Sequence, residues 1–388
     1  MKTNTKDICA KLNELIKTNL KPLISDSYIF LDLPYYSNIG DMLIWRGTED
    51  FLKELPGECL GRHSKETFDF RFLPQNCTIL LSGGGNFGDL WRLHQDFRLK
   101  VIQQYANNHI IILPQTVHYE SEETFSEDIK IMNQHRFLTI CARDTHSANL
   151  LNEKGFKGNL LMLPDMAFCI NSNTLNDKSL VVSPKHLFLL REDKELKTSE
   201  LLEKFTNATI SDWPNMQDYG VKAQQFLVTH NNKEADNYFQ EEFFPLRIKD
   251  GVELASFYKE ASSTRLHFVI LRLLLGLPVK MIDNSYGKNR NFYNTWLKNS
   301  ELVSMQEEEE QDIFDLAICL RKQDQQFKDM VAKLRGELNH CEEAISQLQQ
   351  RVEDEYGKHK RYKKIFNACL IVTLLLIFLS SVLYIYIR

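Results

Sequence analysis

The sequence predicts an α/β protein: two Rossmann-like domains facing a cleft, then a C-terminal coiled coil and a transmembrane helix. Three observations carry this expectation. Short apolar runs alternate with helical stretches over residues 28–300. A heptad pattern follows over 327–352. A stretch of 23 residues without a charge, Ile365–Ile387, comes last.

Composition sets the frame. The 388 residues include 47 Lys and Arg against 52 Asp and Glu, a net charge of −5. With 43% apolar and 26% charged residues, the chain is neither disordered nor collagen-like. A length of 388 allows two folded domains and an appendage. The mild acidity, pI near 6.2, argues against a nucleic-acid partner. None of the eight cysteines has C-x-x-C spacing, which argues against zinc ribbons, redox pairs and a disulfide framework. Reduced thiols in a reducing compartment fit this usage.

The first element is a packing helix, with Ile8, Leu12, Leu15, Ile16 and Leu20 at helical spacing. Charged residues interrupt it, so it does not read as a signal peptide. Eight apolar runs then read as buried strands: 28–33, 78–82, 110–113, 137–142, 159–163, 187–190, 225–228 and 279–282. Continuous rather than alternating apolar runs suit parallel strands covered on both faces. Helices are expected between them, at Asp41–Leu55, Thr145–Lys154 and Leu266–Leu275. The alternation is too long for one ordinary sheet. The polar stretch NSNTLNDKS at 171–179 divides it into domains over 1–176 and 177–306.

Residues 307–357 read as a coiled-coil stalk. Glu307–Glu310 form a solvated boundary, and Phe327, Val331, Leu334, Leu338, Cys341, Ile345, Leu348 and Val352 alternate at spacings of four and three. A homodimer with parallel strands lets both anchors enter one membrane; a trimer stays open. Residues 358–388 read as a basic flank and a membrane anchor. The run 365–387 is long enough to cross a hydrocarbon core of about 30 Å. Lys358, Lys360, Arg361, Lys363 and Lys364 precede it and Arg388 follows, so the positive-inside rule leaves the rest of the chain on the cytoplasmic side.

Ligands of doubly wound sheets sit beyond the carboxyl ends of the strands, which directs attention to the segments that follow each one. After the first strand, Gly40 permits a tight turn, Asp41 can cap a helix and Asn38 can meet a ligand. After the second, Gly83, Gly85 and Gly88 have G-x-G-x-x-G spacing, with Gly84 and Asn86 among them and Asp89 next. Bare amides at a helix N-terminus suit an anion. A dinucleotide site would need an acidic residue at the end of the next strand, where Pro114-Gln115-Thr116 stands instead. Arg143 can pair with Asp144 or hold a substrate anion, and Asp165 can line the cleft or cap a turn. Arg191 can bind phosphate or carboxylate with its fork, or pair with Glu192 or Asp193. Ser262, Ser263 and Thr264 can cap a nearly all-apolar helix, Phe268–Leu275, with Arg265 and His267 at its first turn. No D-x-D, H-E-x-x-H or G-x-S-x-G occurs, and no metal site is expected.

Six motifs stand in order: NIGDMLIWRG, LLSGGGNFGDLW, ILPQT, CARD-x-x-S, LPDMAF and S-T-R-L-H with a downstream G-L-P. Together they resemble the polysaccharide pyruvyltransferase family over residues 28–298. Thr116 stands where serine is commoner in that family. The resemblance implies a glycosyltransferase-B-like pair of domains, with phosphoenolpyruvate as co-substrate and no further cofactor. It implies a glycan or lipid-linked oligosaccharide as acceptor and a cyclic pyruvate ketal as product. It places Arg191, Arg265 and Leu266 at the phosphoenolpyruvate site and His267 as the acid–base group. Asn38, Asp41, Gly84, Gly85, Asn86, Asp89, Gln115, Arg143 and Asp165 then belong to the cleft and acceptor. Two other readings share the fold: a metal-independent nucleotide-sugar glycosyltransferase, and a non-catalytic membrane-tethered scaffold.

Overall fold

The computed structural model describes residues 4–175, 183–191, 208–284, 287–306, 370–377 and 379–380. The first sheet has seven strands, all pairings parallel. They are β1 (Ser27–Leu31), β2 (Glu58–His63), β3 (Cys77–Leu81), β4 (Gly84–Gly88), β5 (Ile110–His118), β6 (Leu138–Ala142) and β7 (Asn159–Met162). Their order is β2-β1-β3-β5-β6-β7, with β4 also paired to β5. The second sheet has β8 (Ser183–Leu189), β9 (Ala208–Ser211), β10 (Tyr258–Ser263), β11 (Val279–Met281) and β12 (Val303–Met305), in the order β12-β11-β10-β8-β9. It too is parallel.

Each order reverses direction once. In the first sheet the chain leaves β1 for one neighbour, β2, and returns on the other side to β3. In the second it leaves β8 for β9 and returns to β10. These two switch points are where an open parallel sheet leaves a crevice beyond its strand ends.

Helices α1 (Thr5–Leu20), α2 (Ile39–Leu52), α3 (Arg92–Gln104), α4 (Glu122–Met132) and α5 (Thr145–Glu153) accompany the first sheet. Helices α6 (Met216–Thr229), α7 (Asn232–Tyr238), α8 (Phe244–Phe257), α9 (Leu266–Leu274) and α10 (Lys288–Phe292) accompany the second. Several carry local start signals. Asn38 accepts from the Gly40 amide at the head of α2, Ser121 from Thr124 in α4 and Asp144 from Ser147 in α5.

Strand β3 is buried at every residue, as a continuous apolar run requires. Fully burying each such Ile or Leu stabilises the fold by roughly 1.5–3 kcal/mol. One apolar cluster runs from α1 (Ile16, Leu20) through Trp45 on α2 and Phe268–Leu271 on α9 to Leu80 of the first sheet and Leu187 of the second. A separate cluster fills the other face of the first sheet, where Ile79 and Leu81 meet Phe97, Val101 and Phe125. The two sheets thus share one core, and the described residues up to Gln306 belong to one compact unit.

Three expectations change. Residues 225–228 are not a strand but part of α6, where Phe226 stacks on His230 and Tyr238 with centroids 3.8 and 3.9 Å apart. A four-residue apolar run cannot by itself distinguish strand from buried helix. The glycine-rich stretch does not open a helix. It forms β4, which pairs with the second half of β5 while β3 pairs with the first. Gly84 and Gly88 have φ of 139° and 131°, and a side chain on Gly88 would overlap the His118 carbonyl. The glycines therefore serve strand packing. Ser262 and Ser263 close strand β10, and no side chain caps α9.

The heptads at 327–352 lie outside the described residues. So does most of 365–387, of which 370–377 and 379–380 are helical with Leu370, Ile371 and Val372 exposed. Among the described residues no helix is long and apolar enough to cross a membrane.

Candidate active site

The two switch points open onto a cavity of about 310 Å³. From the first sheet come Tyr36, Asn38 and Asp41, beyond β1, and Gly85, Asn86 and His94, at and beyond β4. From the second come Arg191, beyond β8, and Arg265, Leu266 and His267, beyond β10. Lys288, at the start of α10, completes the cationic side.

Neighbouring strands position the two arginines. Ser263 Oγ donates to the Leu189 carbonyl at 2.8 Å and accepts the Arg265 amide at 2.9 Å. Thr264 Oγ1 accepts the Arg191 amide at 2.9 Å. The hydroxyls read as helix caps thus tie β10 to β8 and set both arginine backbones. The Arg265 guanidinium is clamped by Asp212, with Nε to Oδ1 at 2.9 Å and NH2 to Oδ2 at 2.5 Å. Such a two-point fork fixes the plane of the group. Trp213 follows Asp212 in the cavity wall, its indole N–H buried without a partner.

His267 stands at the first turn of α9. Its Nε2 lies 3.2 Å from Asp165 Oδ2 and 3.4 Å from Arg143 NH1. Asp165 accepts from Arg143 NH1 at 2.6 Å and, through Oδ1, from the Ala167 amide at 2.9 Å. Burial favours the neutral Asp165 carboxyl, but His267, Arg143 and these hydrogen bonds outweigh it and hold the group well below the usual carboxylate range. Arg143 also donates to Thr116 Oγ1 at 2.9 and 3.1 Å. The hydroxyl that serine or threonine would equally supply is therefore in use. With Nε2 engaged, Nδ1 is the ring nitrogen on the side of Gly40, itself a cavity residue.

Asn86 Oδ1 accepts from Arg98 at 2.9 Å and Gln115 at 3.0 Å, which leaves its amide N–H groups as donors. Asp41 Oδ2 accepts from Asn38 at 2.7 Å and from the Tyr36 hydroxyl at 3.1 Å. Burial and the carboxylates of Asp41 and Asp32 push the Tyr36 phenol well above its ordinary value, so it stays a donor.

The structure therefore brings Asn38, Asp41, Gly85, Asn86, Arg191, Arg265, Leu266 and His267 to one cavity. Gln115, Arg143 and Asp165 lie buried beneath it and hold the lining residues; Gly84 is buried in β4. Asp89 stands apart. Its carboxylate accepts from the Glu120 and Ser121 amides, at 2.7–2.9 Å, ahead of α4. Sequence reasoning missed Tyr36, His94, Trp213, Asp212 and Lys288. Lys288 lies within Y-G-K-N-R, and His94 three residues beyond the glycine-rich motif. Asp212 and Trp213 carry no local signal. Among the described residues no group of His, Cys, Asp and Glu is arranged to hold a metal ion.

Residues 38–286 match the model of the polysaccharide pyruvyl transferase family. The chain belongs to that family. EpsO of Bacillus subtilis, named as a pyruvyl transferase, is 32% identical over 70% of this chain and 85% of its own. Pyruvyl transferase 1 of Schizosaccharomyces pombe is 26% identical over 58% of this chain and 56% of its own. The crystal structure of a functionally uncharacterised Klebsiella pneumoniae protein aligns with TM-score 0.54 and 20% identity, over 76% of this chain and 98% of that one, a likeness of fold. As a polysaccharide pyruvyl transferase family member, the chain is an enzyme, and the group it transfers is the pyruvyl group. The matched span contains every lining residue named above except Tyr36, two residues before it, and Lys288, two residues after it.

Proposed function

We propose that the enzyme transfers pyruvate from phosphoenolpyruvate to two hydroxyls of a cell-surface glycan or its lipid-linked precursor, forming a pyruvate ketal. The observation that carries this reading is the meeting of Arg191, Arg265 and Lys288 with the Asp165-backed His267 in one cavity. Phosphoenolpyruvate presents two anionic groups, a phosphate and a carboxylate. Arg191 and Lys288 supply matching charge, Arg265 adds a guanidinium whose plane Asp212 fixes, and the amides at the start of α9, including that of Leu266, add helix N-terminal donors. The buried Trp213 N–H adds another. His267 protonates the methylene carbon, which makes the adjacent carbon electrophilic towards an acceptor hydroxyl. No group beyond this co-substrate is needed for the scheme.

The uncharged run 365–387 and its basic flank support a membrane anchor with the catalytic part on the cytoplasmic side, near lipid-linked acceptors. The heptads support a homodimer. Both rest on the sequence patterns.

The test is phosphate release by the full chain from phosphoenolpyruvate, with and without membrane glycolipid from the source cells. His267→Ala and Arg265→Ala are run in parallel. Acceptor-dependent release, lost in both variants, is the expected result. A wild type that releases no phosphate and shows no saturable phosphoenolpyruvate binding in calorimetry overturns the reading.

A further inference from the structure

Forming a ketal requires two hydroxyl protons to leave the acceptor, and His267 begins the reaction by giving a proton away. A second group that accepts the first of them leaves His267 to recover its proton from the second hydroxyl. The cavity wall contains one further histidine, His94 on α3. Its Nδ1 lies 2.8 Å from Asp32 Oδ1. Asp32 follows β1 directly and is 2% exposed. Its backbone is in the left-handed region, with φ 64°, unusual for a residue other than glycine. Asp32 Oδ2 lies 3.4 Å from NH2 of Arg98, a guanidinium with no exposed surface. Arg98 in turn donates to Gln95 at 2.6 Å and to the cavity residue Asn86 at 2.9 Å.

The arrangement repeats that of His267. In each, a buried aspartate joins a cavity-lining histidine to a fully buried arginine: Asp165 with Arg143, Asp32 with Arg98. The chain segments are unrelated, and the two histidines stand at the switch points of different sheets. Arg98 already neutralises Asp32, so charge balance does not require His94. With Nδ1 held by Asp32, Nε2 is the nitrogen left for a ligand. Tyr36 stands edge-on to the ring at 5.7 Å, and Tyr36 in turn feels the carboxylates of Asp41, Asp32 and Glu66.

We infer that His94, positioned by Asp32, is the base that takes the proton of the first acceptor hydroxyl, an inference that rests on the pyruvyl-transfer reading. The protons then balance over one turnover. His267 gives its proton to the methylene carbon of phosphoenolpyruvate. The first hydroxyl oxygen bonds to the adjacent carbon, and its proton passes to His94. The carbon–oxygen bond to phosphate then breaks, with the His94 proton leaving on the phosphate. The second hydroxyl bonds to the same carbon, and its proton restores His267. Both histidines end as they began.

The experiment uses the full chain in detergent micelles, phosphoenolpyruvate, and p-nitrophenyl glycosides of glucose, galactose and mannose as acceptor probes. His94→Asn and His94→Gln, each confirmed folded by thermal unfolding, should lower kcat by about 10²–10⁴-fold. Their phosphoenolpyruvate Kd should stay within about twofold, and the acidic limb of the pH–rate profile should flatten. Asp32→Asn should lower kcat less and displace that limb, as expected of a positioning residue. An unchanged acidic limb, or a phosphoenolpyruvate Kd raised as far as in Arg265→Ala, overturns the assignment. Failure of the underlying reading looks different: the wild type then binds no phosphoenolpyruvate. Should the probes give binding but no turnover, the ring resonances of labelled His94 decide. A shift with glycoside and not with phosphoenolpyruvate supports the assignment, and no shift with glycoside overturns it.

Discussion

The imidazole of His267 rests where a side chain at position 40 would be: a Cβ built on Gly40 lies 2.6 Å from its Nδ1. The head of α2 and the head of α9 are thereby in direct contact, although 227 residues separate the two positions. Glycine is required here by close approach of a neighbour, with a consequence for activity.

Gly40→Ala should displace the His267 ring from Asp165. Alanine is favoured over glycine within a helix by about 1 kcal/mol, so stability should change little. Steady-state phosphate release should fall at least about tenfold, since a small misplacement of a reacting group is costly. Thermal unfolding alongside kinetics checks both parts. A variant with wild-type turnover would show that the ring is free to move.

Gly47→Ala should behave in the opposite way. A Cβ there would overlap the Met166 carbonyl, which is backbone and cannot swing aside. The expected loss is about 1–3 kcal/mol of stability, read from denaturant unfolding. Because Met166 follows Asp165, a smaller loss of activity should accompany it.

Asp212→Asn should weaken phosphoenolpyruvate binding. Asp212 orients the Arg265 guanidinium through two hydrogen bonds and itself lies outside the cavity lining. Losing one charge-assisted bond of this kind costs about 1.5–3 kcal/mol, or roughly 10–150-fold in Kd. Calorimetric titration measures it directly, and kcat should change less than Kd.

Asp165→Asn should destabilise the fold in a pH-dependent way. Its carboxyl is depressed in the folded protein, so its contribution is complete above the unfolded value, about pH 4. That contribution fades as pH falls below this, towards the folded value. Removing the charge leaves Arg143 buried opposite a neutral amide. The expected cost is about 3–5 kcal/mol at pH 7, smaller below pH 4. Parallel urea unfolding at pH 7 and pH 3 tests the sign.

Much of the fold was legible because its information is local. Strands β1, β3, β5, β6 and β8 are apolar runs, and parallel strands covered on both faces must be. Strand β10 was not legible: Tyr258–Ser263 has no apolar run, and Ser262 and Ser263 are buried because their hydroxyls bond across to β8 and its flank. The run at 225–228 misled for the converse reason, since apolarity records burial and not backbone shape. Glycines 83–88 matched an anion-binding spacing, yet their packing against Pro114 and His118 makes them a strand.

The candidate site divides along the same line. Arg191, Arg265 and His267 could be singled out from the sequence, because each stands beside a recognisable strand end or helix start. Residue type left Arg143 and Asp165 undecided between local pairing and a role in the cleft. The structure pairs them with each other and with His267, across 22 and 102 residues of chain. Asp89, a neighbour of the glycine motif, was drawn away by the free amides before α4. Asp32 sat unnoticed inside a strand-like run, although it holds His94 from 62 residues away. Local pattern determined which segments are strands and helices and where loops emerge at strand ends. Tertiary structure alone decided which charges share a buried space, because burying an ion requires a partner and the chain supplies that partner from whichever segment folding brings within reach.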